Sequence, residues 1–242
     1  MAATEGIDAD VRGRYGRPRR TAEWTARGHA CSENTVAKRM REYGIRAKCP
    51  RRFVRTTDSR HARPVADTVL DRAFDPPAPN AVWAAALTDI PTADGWSSLA
   101  VVEDRFSRRI VGWAMAATME SRPGVEALDM AIRRRRPGEG RVAHSDRGSQ
   151  SASDHSQRAL ERSGIRCRMS RVAQCGDNAP VESVFASLKR ERIPDDRYTT
   201  REQARASIFE YVEVFDHRVR RHSSLGFVSP AEFERTHNPK RP

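Results

Sequence analysis

Lysine is almost missing from this chain. Lys38, Lys48, Lys189 and Lys240 are the only lysines among 44 basic residues, and arginine supplies the rest. A planar guanidinium suits bidentate contact with phosphate, but an Arg- and Ala-rich chain also follows from a GC-rich coding sequence, so the arginines alone assign nothing. Cysteine is sparse too. Cys31, Cys49, Cys167 and Cys175 form no C-x-x-C pair, which disfavours a zinc knuckle or a disulfide scaffold and leaves reduced cytosolic thiols as the expectation. No apolar run approaches membrane-spanning length, and the N-terminus lacks a secretory apolar stretch, so a soluble cytoplasmic protein without membrane contact is expected. There is no internal repeat. What remains is a 242-residue chain, 38% hydrophobic and able to bury a core, with a formal net charge of +12. That charge favours a polyanionic partner, because each cation placed on a phosphate releases condensed counterions.

Residues 11–48 read as a small helical unit. A helix opens at Tyr15-Gly16-Arg17-Pro18 and is broken at Gly28. Ser32 caps a second helix, with Val36, Met40 and Tyr43 on one stripe and Gly44 closing it. Lys38, Arg39 and Arg41 point outward on that second helix, as in a helix-turn-helix; a basic helical hairpin with no DNA role is the plain alternative. Residues 49–80 form a basic, proline-containing linker. Strands begin at Val82, with Ser98–Val102 and Arg109–Ala114 flanking a hairpin at Asp104-Arg105-Phe106-Ser107. A helix through Val125, Leu128 and Ile132 ends in Arg133–Arg136, where cations complement the helix dipole. A strand at Arg141–His144, a helix over 154–163 and a strand at Ile165–Met169 follow. Asn178 with Pro180 then starts a helix that buries Val181, Val184, Phe185 and Leu188. A long amphipathic helix from Thr200 turns Ala204, Ile208, Tyr211, Val212, Phe215 and Val219 inward. This order predicts an α/β mixed sheet flanked by helices over 81–235.

Two carboxylates stand out by their surroundings. Asp146 sits in His-Ser-Asp-Arg147-Gly-Ser-Gln at the end of a strand, and Glu182 in Asp-Asn-Ala-Pro-Val-Glu-Ser at the start of a helix, with 35 residues between them. In-line attack at phosphorus is served by two divalent ions about 3.5–4 Å apart, and hard ions take oxygen ligands. An isolated Asp and Glu are ordinarily surface charges; their flanks set this pair apart.

Those flanks, together with Phe185-Ala-Ser-Leu-Lys189, Arg221-His-Ser-Ser-Leu-Gly226, Ser229-Pro-Ala-Glu-Phe233 and Asp104-Arg-Phe-Ser-Arg-Arg-Ile-Val-Gly-Trp113, resemble the OrfB-type transposases of bacterial insertion sequences, whose core is of the retroviral-integrase kind. The likeness runs from about residue 11 to residue 235. It implies an RNase H-like fold preceded by a helix-turn-helix unit, DNA strand cleavage and joining, and double-stranded DNA, both element ends and target, as partner. It also implies a two-ion Mg²⁺ or Mn²⁺ site with Asp146 and Glu182 as ligands, and Lys189 as a contact to terminal DNA, with Arg147, Lys38, Arg39 and Arg41 as further DNA-binding residues. A homo-oligomer on DNA, an upstream-frame partner protein and a bacterial cytoplasm with nucleoid association complete what the resemblance implies.

The first acid is where the chain departs. The family pattern is approximately Trp-x-x-Asp-x-Thr-Tyr-x-Pro-Thr. Aligned on Trp83, Thr88, Pro91 and Thr92, its Asp position holds Ala86, and Asp89 stands where Tyr is expected. Asp89 is a poor substitute: three residues along a strand is roughly 10 Å, and an odd offset selects the opposite face. Glu103, in an otherwise apolar strand, is a second conceivable donor. Ser151 and Gly176 also replace expected aromatic residues, and the segment ahead of the helix-turn-helix is short, so a decayed or truncated copy is expected. Two functions compete: an acidic-triad transposase, impaired at Ala86, and a catalytically inactive derivative that occupies element ends or inhibits an active transposase. A helix-turn-helix repressor with an unrelated effector domain is a third reading, which leaves the spacing of Asp146 and Glu182 unexplained.

Overall fold

The computed structural model describes residues 2–48, 76–117, 122–138, 142–145, 166–169, 179–193 and 198–237. Three short helices come first: α1 (Ala2–Val11), α2 (Arg17–Ala26) and α3 (Glu33–Glu42). The first of these lies ahead of the helical unit expected from the sequence. As expected, Ser32 caps α3, its side chain accepting from the Thr35 N–H at 3.2 Å. Gly28 follows α2 with a φ of +84°, the left-handed conformation a glycine adopts freely.

A five-stranded sheet forms the core. Its order is β3 (Arg109–Ala116), β2 (Gly95–Asp104), β1 (Val82–Thr92), β4 (Val142–Ser145) and β5 (Arg166–Met169). The first three strands pair antiparallel, while β4 and β5 run parallel to β1. This is the mixed sheet the element order called for. Alternation along β1 sends Trp83, Ala85 and Leu87 to one apolar cluster and Ala84, Ala86 and Ile90 to the other. The helix between β3 and β4, α4 (Arg122–Arg135), covers the first face through Ala127, Leu128 and Ala131. It approaches β3 so closely that a Cβ on Gly112 would lie 2.0 Å from the Ala127 carbonyl oxygen.

The second face is covered by α5 (Ala179–Glu191) and α6 (Arg201–Phe209). All four apolar residues expected on the inner side of α5 are buried. The long helix expected from Thr200 is not uniform: α6 gives way to a π-helix at Glu210–Asp216. The sequence placed Val219 inward, but it is 41% exposed. The wider π turn moves the following residues around the axis, so Asp216 and Arg220 face the interior instead. A 3₁₀ turn at Ser223–Leu225 and α7 (Pro230–His237) complete the described chain.

The N-terminal unit is joined to these C-terminal elements. Val11 and Tyr15 belong to the same apolar cluster as α5 and α6. The Tyr15 hydroxyl donates to the Val219 carbonyl at 2.8 Å and accepts from the Arg221 N–H at 2.9 Å. Arg221 also pairs with Glu23 of α2 at 2.6 Å, and Arg19 donates to the Arg221 carbonyl at 2.9 Å.

Candidate active site

Three consecutive alanines, Ala84 to Ala86, lie in the first half of the central strand; Ala84 and Ala86 belong to the cluster on the α5 side and Ala85 to the one on the α4 side. Ala86 is 6% exposed and shares its cluster with Val181, Phe185 and Leu188 of α5 and with Leu99 and Val101 of β2. Its methyl group offers no donor atom. On its other side, β1 is in register with β4: Ser145, the residue before Asp146, pairs with Ala85, the residue before Ala86. Asp146 and Arg147 themselves lie outside the described residues.

Glu182 is in the first turn of α5 and exposed. A carboxylate there is favoured by the positive end of the helix dipole. Glu182 thus lies on the exposed side of the helix whose buried residues Val181, Phe185 and Leu188 share a cluster with Ala86. Lys189 is exposed in the last turn of the same helix.

Neither expected substitute for the first acid stands beside Ala86 on this face. Asp89 lies opposite Ser98 in the β1–β2 register and accepts a hydrogen bond from the Ser98 hydroxyl at 2.9 Å. By alternation it belongs to the α4 side, with Ala85 and Leu87. Glu103 is on the correct face but opposite Ala84, two residues along the strand from Ala86. It is fully buried, 3.1 Å from an Arg108 guanidinium nitrogen, yet neither carboxyl oxygen has hydrogen-bond geometry to a partner. Burial pushes its pKa up to about 8; the Arg108 charge opposes that rise and nearby Asp216 adds to it. At neutral pH Glu103 is therefore mostly a neutral acid, a poor ligand for a hard cation.

Among the described residues no cluster of three or more His, Cys, Asp or Glu side chains suits a metal ion. Among the described residues, Ala86 thus presents a methyl group, Asp89 lies on the other face and Glu103 is buried beside Arg108.

No signal in the sequence reveals what anchors α5. At its C-terminal end Glu191, 5% exposed, accepts from Arg220 through both oxygens, one contact being 2.7 Å, and from the Tyr211 hydroxyl at 3.0 Å. Burial opposes the Arg220 charge, but Tyr211 and Glu191 outweigh it and hold its pKa above the ordinary value. In sequence Arg220 is one of several arginines after the long helix, and only the π turn reveals that it points inward. On the α3 surface Lys38, Arg39 and Arg41 are all exposed as expected; Lys38 and Arg39 share Glu42 at 3.9 and 3.5 Å.

Comparison with known proteins identifies the family and the fold. Residues 76–175 and 182–237 match two family models described as integrase core domain, and residues 3–53 match an HTH-like domain. The chain is 41% identical over 221 residues to the transposase InsF for insertion sequence IS3A of Escherichia coli (strain K12), covering 91% of this chain and 77% of that protein. It is also 41% identical over 219 residues to the IS600 uncharacterized 31 kDa protein of Shigella sonnei, covering 90% and 80%. Among solved structures, a simian T-cell lymphotropic virus intasome in complex with PP2A regulatory subunit B56 gamma shares the fold, with a TM-score of 0.54 and 16% identity over 92% of this chain and 72% of that one. Among the described residues no helix is long and apolar enough to cross a membrane. The chain belongs to the insertion-sequence transposases with an integrase core, and its function is of the transposase type.

Proposed function

We propose that this protein binds the ends of an insertion element as duplex DNA, and that its capacity to cleave and join strands is lost or severely weakened. The observation that carries the reading is Ala86: a buried methyl group on the central strand, under α5, at the position where related chains are expected to carry a carboxylate. Asp146 and Glu182 are the remaining proposed oxygen donors for Mg²⁺ or Mn²⁺. Support for their convergence comes from the β1–β4 register, which ends one residue before both Ala86 and Asp146, and from the packing of α5 on the same face. Lys189, Arg147 and the α3 cations Lys38, Arg39 and Arg41 are proposed to contact DNA, within a helix-turn-helix-like unit at 11–48, a linker at 49–80 and a core at 81–235. Two ends must be held together for transposition, so the proposed working form is a homo-oligomer on DNA, with an upstream-frame protein as a further candidate partner.

A copy of this kind that still binds ends would act as an inhibitor, by occupying DNA or joining the oligomer of an active transposase. The test is metal-dependent cleavage of element-end DNA by this chain beside its Ala86→Asp variant. Loss of a bridging carboxylate costs on the order of 4 kcal/mol, about a thousandfold in rate, so activity should rise by about that factor in the variant. Equal activity in the two proteins would show that Ala86 is not the missing ligand position.

A further inference from the structure

A cleft of about 380 Å³ lies where the N-terminal unit meets the end of α5 and the turn at Ser223–Phe227. Arg14, Arg19, Lys48 and Arg190 line it, against a single carboxylate, Glu191. That carboxylate is already taken by Arg220 and the Tyr211 hydroxyl, so the wall of the cleft carries a net positive charge.

Arg14 is the decisive residue. It is only 5% exposed, and its Nε has no hydrogen-bond partner. The contacts of its guanidinium are with ring faces, 4.3 Å from the Phe215 centroid and 5.6 Å from that of Tyr211. Aromatic faces attract a cation but leave its N–H groups without acceptors. A buried guanidinium with an unsatisfied donor, lining a cleft among other cations, is arranged for an anion. The backbone contributes as well. Gly16, the N-cap of the ten-residue α2, lines the cleft and provides no side-chain cap. Pro18 has no N–H and the Arg20 N–H bonds the Gly16 carbonyl, so the Arg17 and Arg19 N–H groups are the ones left to an external acceptor, which the helix dipole favours as an anion.

We propose that this cleft holds a phosphate group of duplex DNA, clamped between the N-terminus of α2 and the C-terminus of α5. This assignment rests on the DNA-binding reading above and deepens it. In helix-turn-helix proteins the first helix of the motif crosses the DNA backbone, and the cleft lies at the start of such a helix. The clamp draws cations from the N-terminal unit (Arg14, Arg19, Lys48) and from the integrase core (Arg190). One phosphate is therefore gripped at once by the N-terminal unit and by α5, the helix that carries Glu182.

The test is fluorescence anisotropy of the full chain with a labelled duplex of arbitrary sequence, at several salt concentrations. The variants are Arg14→Gln and Arg190→Gln, with Arg133→Gln at the exposed end of α4 as a matched loss of one charge. Losing one phosphate contact lowers the slope of log K against log salt by about 0.9. Both cleft variants should show that loss with an affinity drop of about fivefold or more, while Arg133→Gln should keep the parent slope. If Arg14→Gln fails to fold, the exposed Arg190→Gln still decides. Parent-like slopes in the cleft variants, from a parent that binds DNA, would overturn the clamp and leave the DNA-binding reading standing. Absence of binding by the parent would end both. Thermal unfolding in sodium phosphate against sodium chloride at equal ionic strength separates a free anion from DNA: phosphate-specific stabilisation abolished by Arg190→Gln, with an unchanged DNA slope, would mean a small-anion site and would also overturn the clamp.

Discussion

The two faces of β1 are built from the same kind of residue and held in different ways. On the α4 side, Trp83, Ala85 and Leu87 meet Ala127, Leu128 and Ala131 in a plain apolar contact, made close by Gly112. On the α5 side the apolar cluster is larger, and buried ionisable groups border it: Glu103 of β2, mostly a neutral acid, opposite Ala84, and the Glu191–Arg220 ion pair at the end of α5. Apolar packing holds a helix against a sheet yet constrains its sliding and rotation weakly. A bidentate ion pair with a tyrosine behind it fixes one end in place. The face that carries Ala86 and Glu182 is the one where that fixing matters.

Five substitutions, one of them made only in a double variant, probe the contrast. Removing one partner of a buried ion pair is the most damaging: Arg220→Met strands the Glu191 carboxylate and should cost about 3–5 kcal/mol in denaturant unfolding. The double variant Arg220→Met with Glu191→Leu should recover part of that loss; no recovery would show that the pair has no coupled role. On the opposite face, Gly112→Ala forces the strand away from the Ala127 carbonyl and should destabilise by about 2–3 kcal/mol. Unaltered stability there would mean that α4 is not seated as closely as described.

Glu103→Gln acts through pH. With a folded-state pKa of about 8 against an ordinary value of 4.5, the folded protein binds more protons than the unfolded one between those limits, so stability falls as pH rises through that window. Asp104, pushed up to about 6 mainly by burial, adds the same sign over a narrower range. Glu103→Gln should flatten the decline between pH 5 and pH 8 by on the order of 1 kcal/mol or more, measured as the change in unfolding midpoint. An undiminished slope would assign the decline to Asp104. Asp89→Asn should change least. It retains the Ser98 hydrogen bond and stays on the α4 side, so stability should move by less than about 0.5 kcal/mol. Any residual cleavage should persist, and its abolition would make Asp89 a working ligand after all.

The fold was legible because its signals are local. Ser32 and Gly28 punctuate the N-terminal helices, β-prone runs either side of the Asp104–Ser107 turn mark β2 and β3, and a period near four marks α5. Glu182 was singled out by the residues around it, and Ala86 by the positions of Trp83 and Pro91, and both enter the site as proposals. Long-range pairing was not. Nothing near Arg220 in sequence distinguishes it from Arg218, which is exposed; the π-helix makes the difference by rotating the chain after Glu210. Arg14 was passed over for a similar reason. Its burial depends on Phe215 and Tyr211, about two hundred residues away.

That separation has a consequence for synthesis. Tyr15 is completely buried, yet its hydroxyl partners lie 204 and 206 residues downstream. At roughly 5–20 residues per second a ribosome needs about 10–40 seconds to supply them. During that interval the leading helices are on the nascent chain without their docking surface, so the helix-turn-helix-like unit acquires its final orientation only after Arg221 has been added.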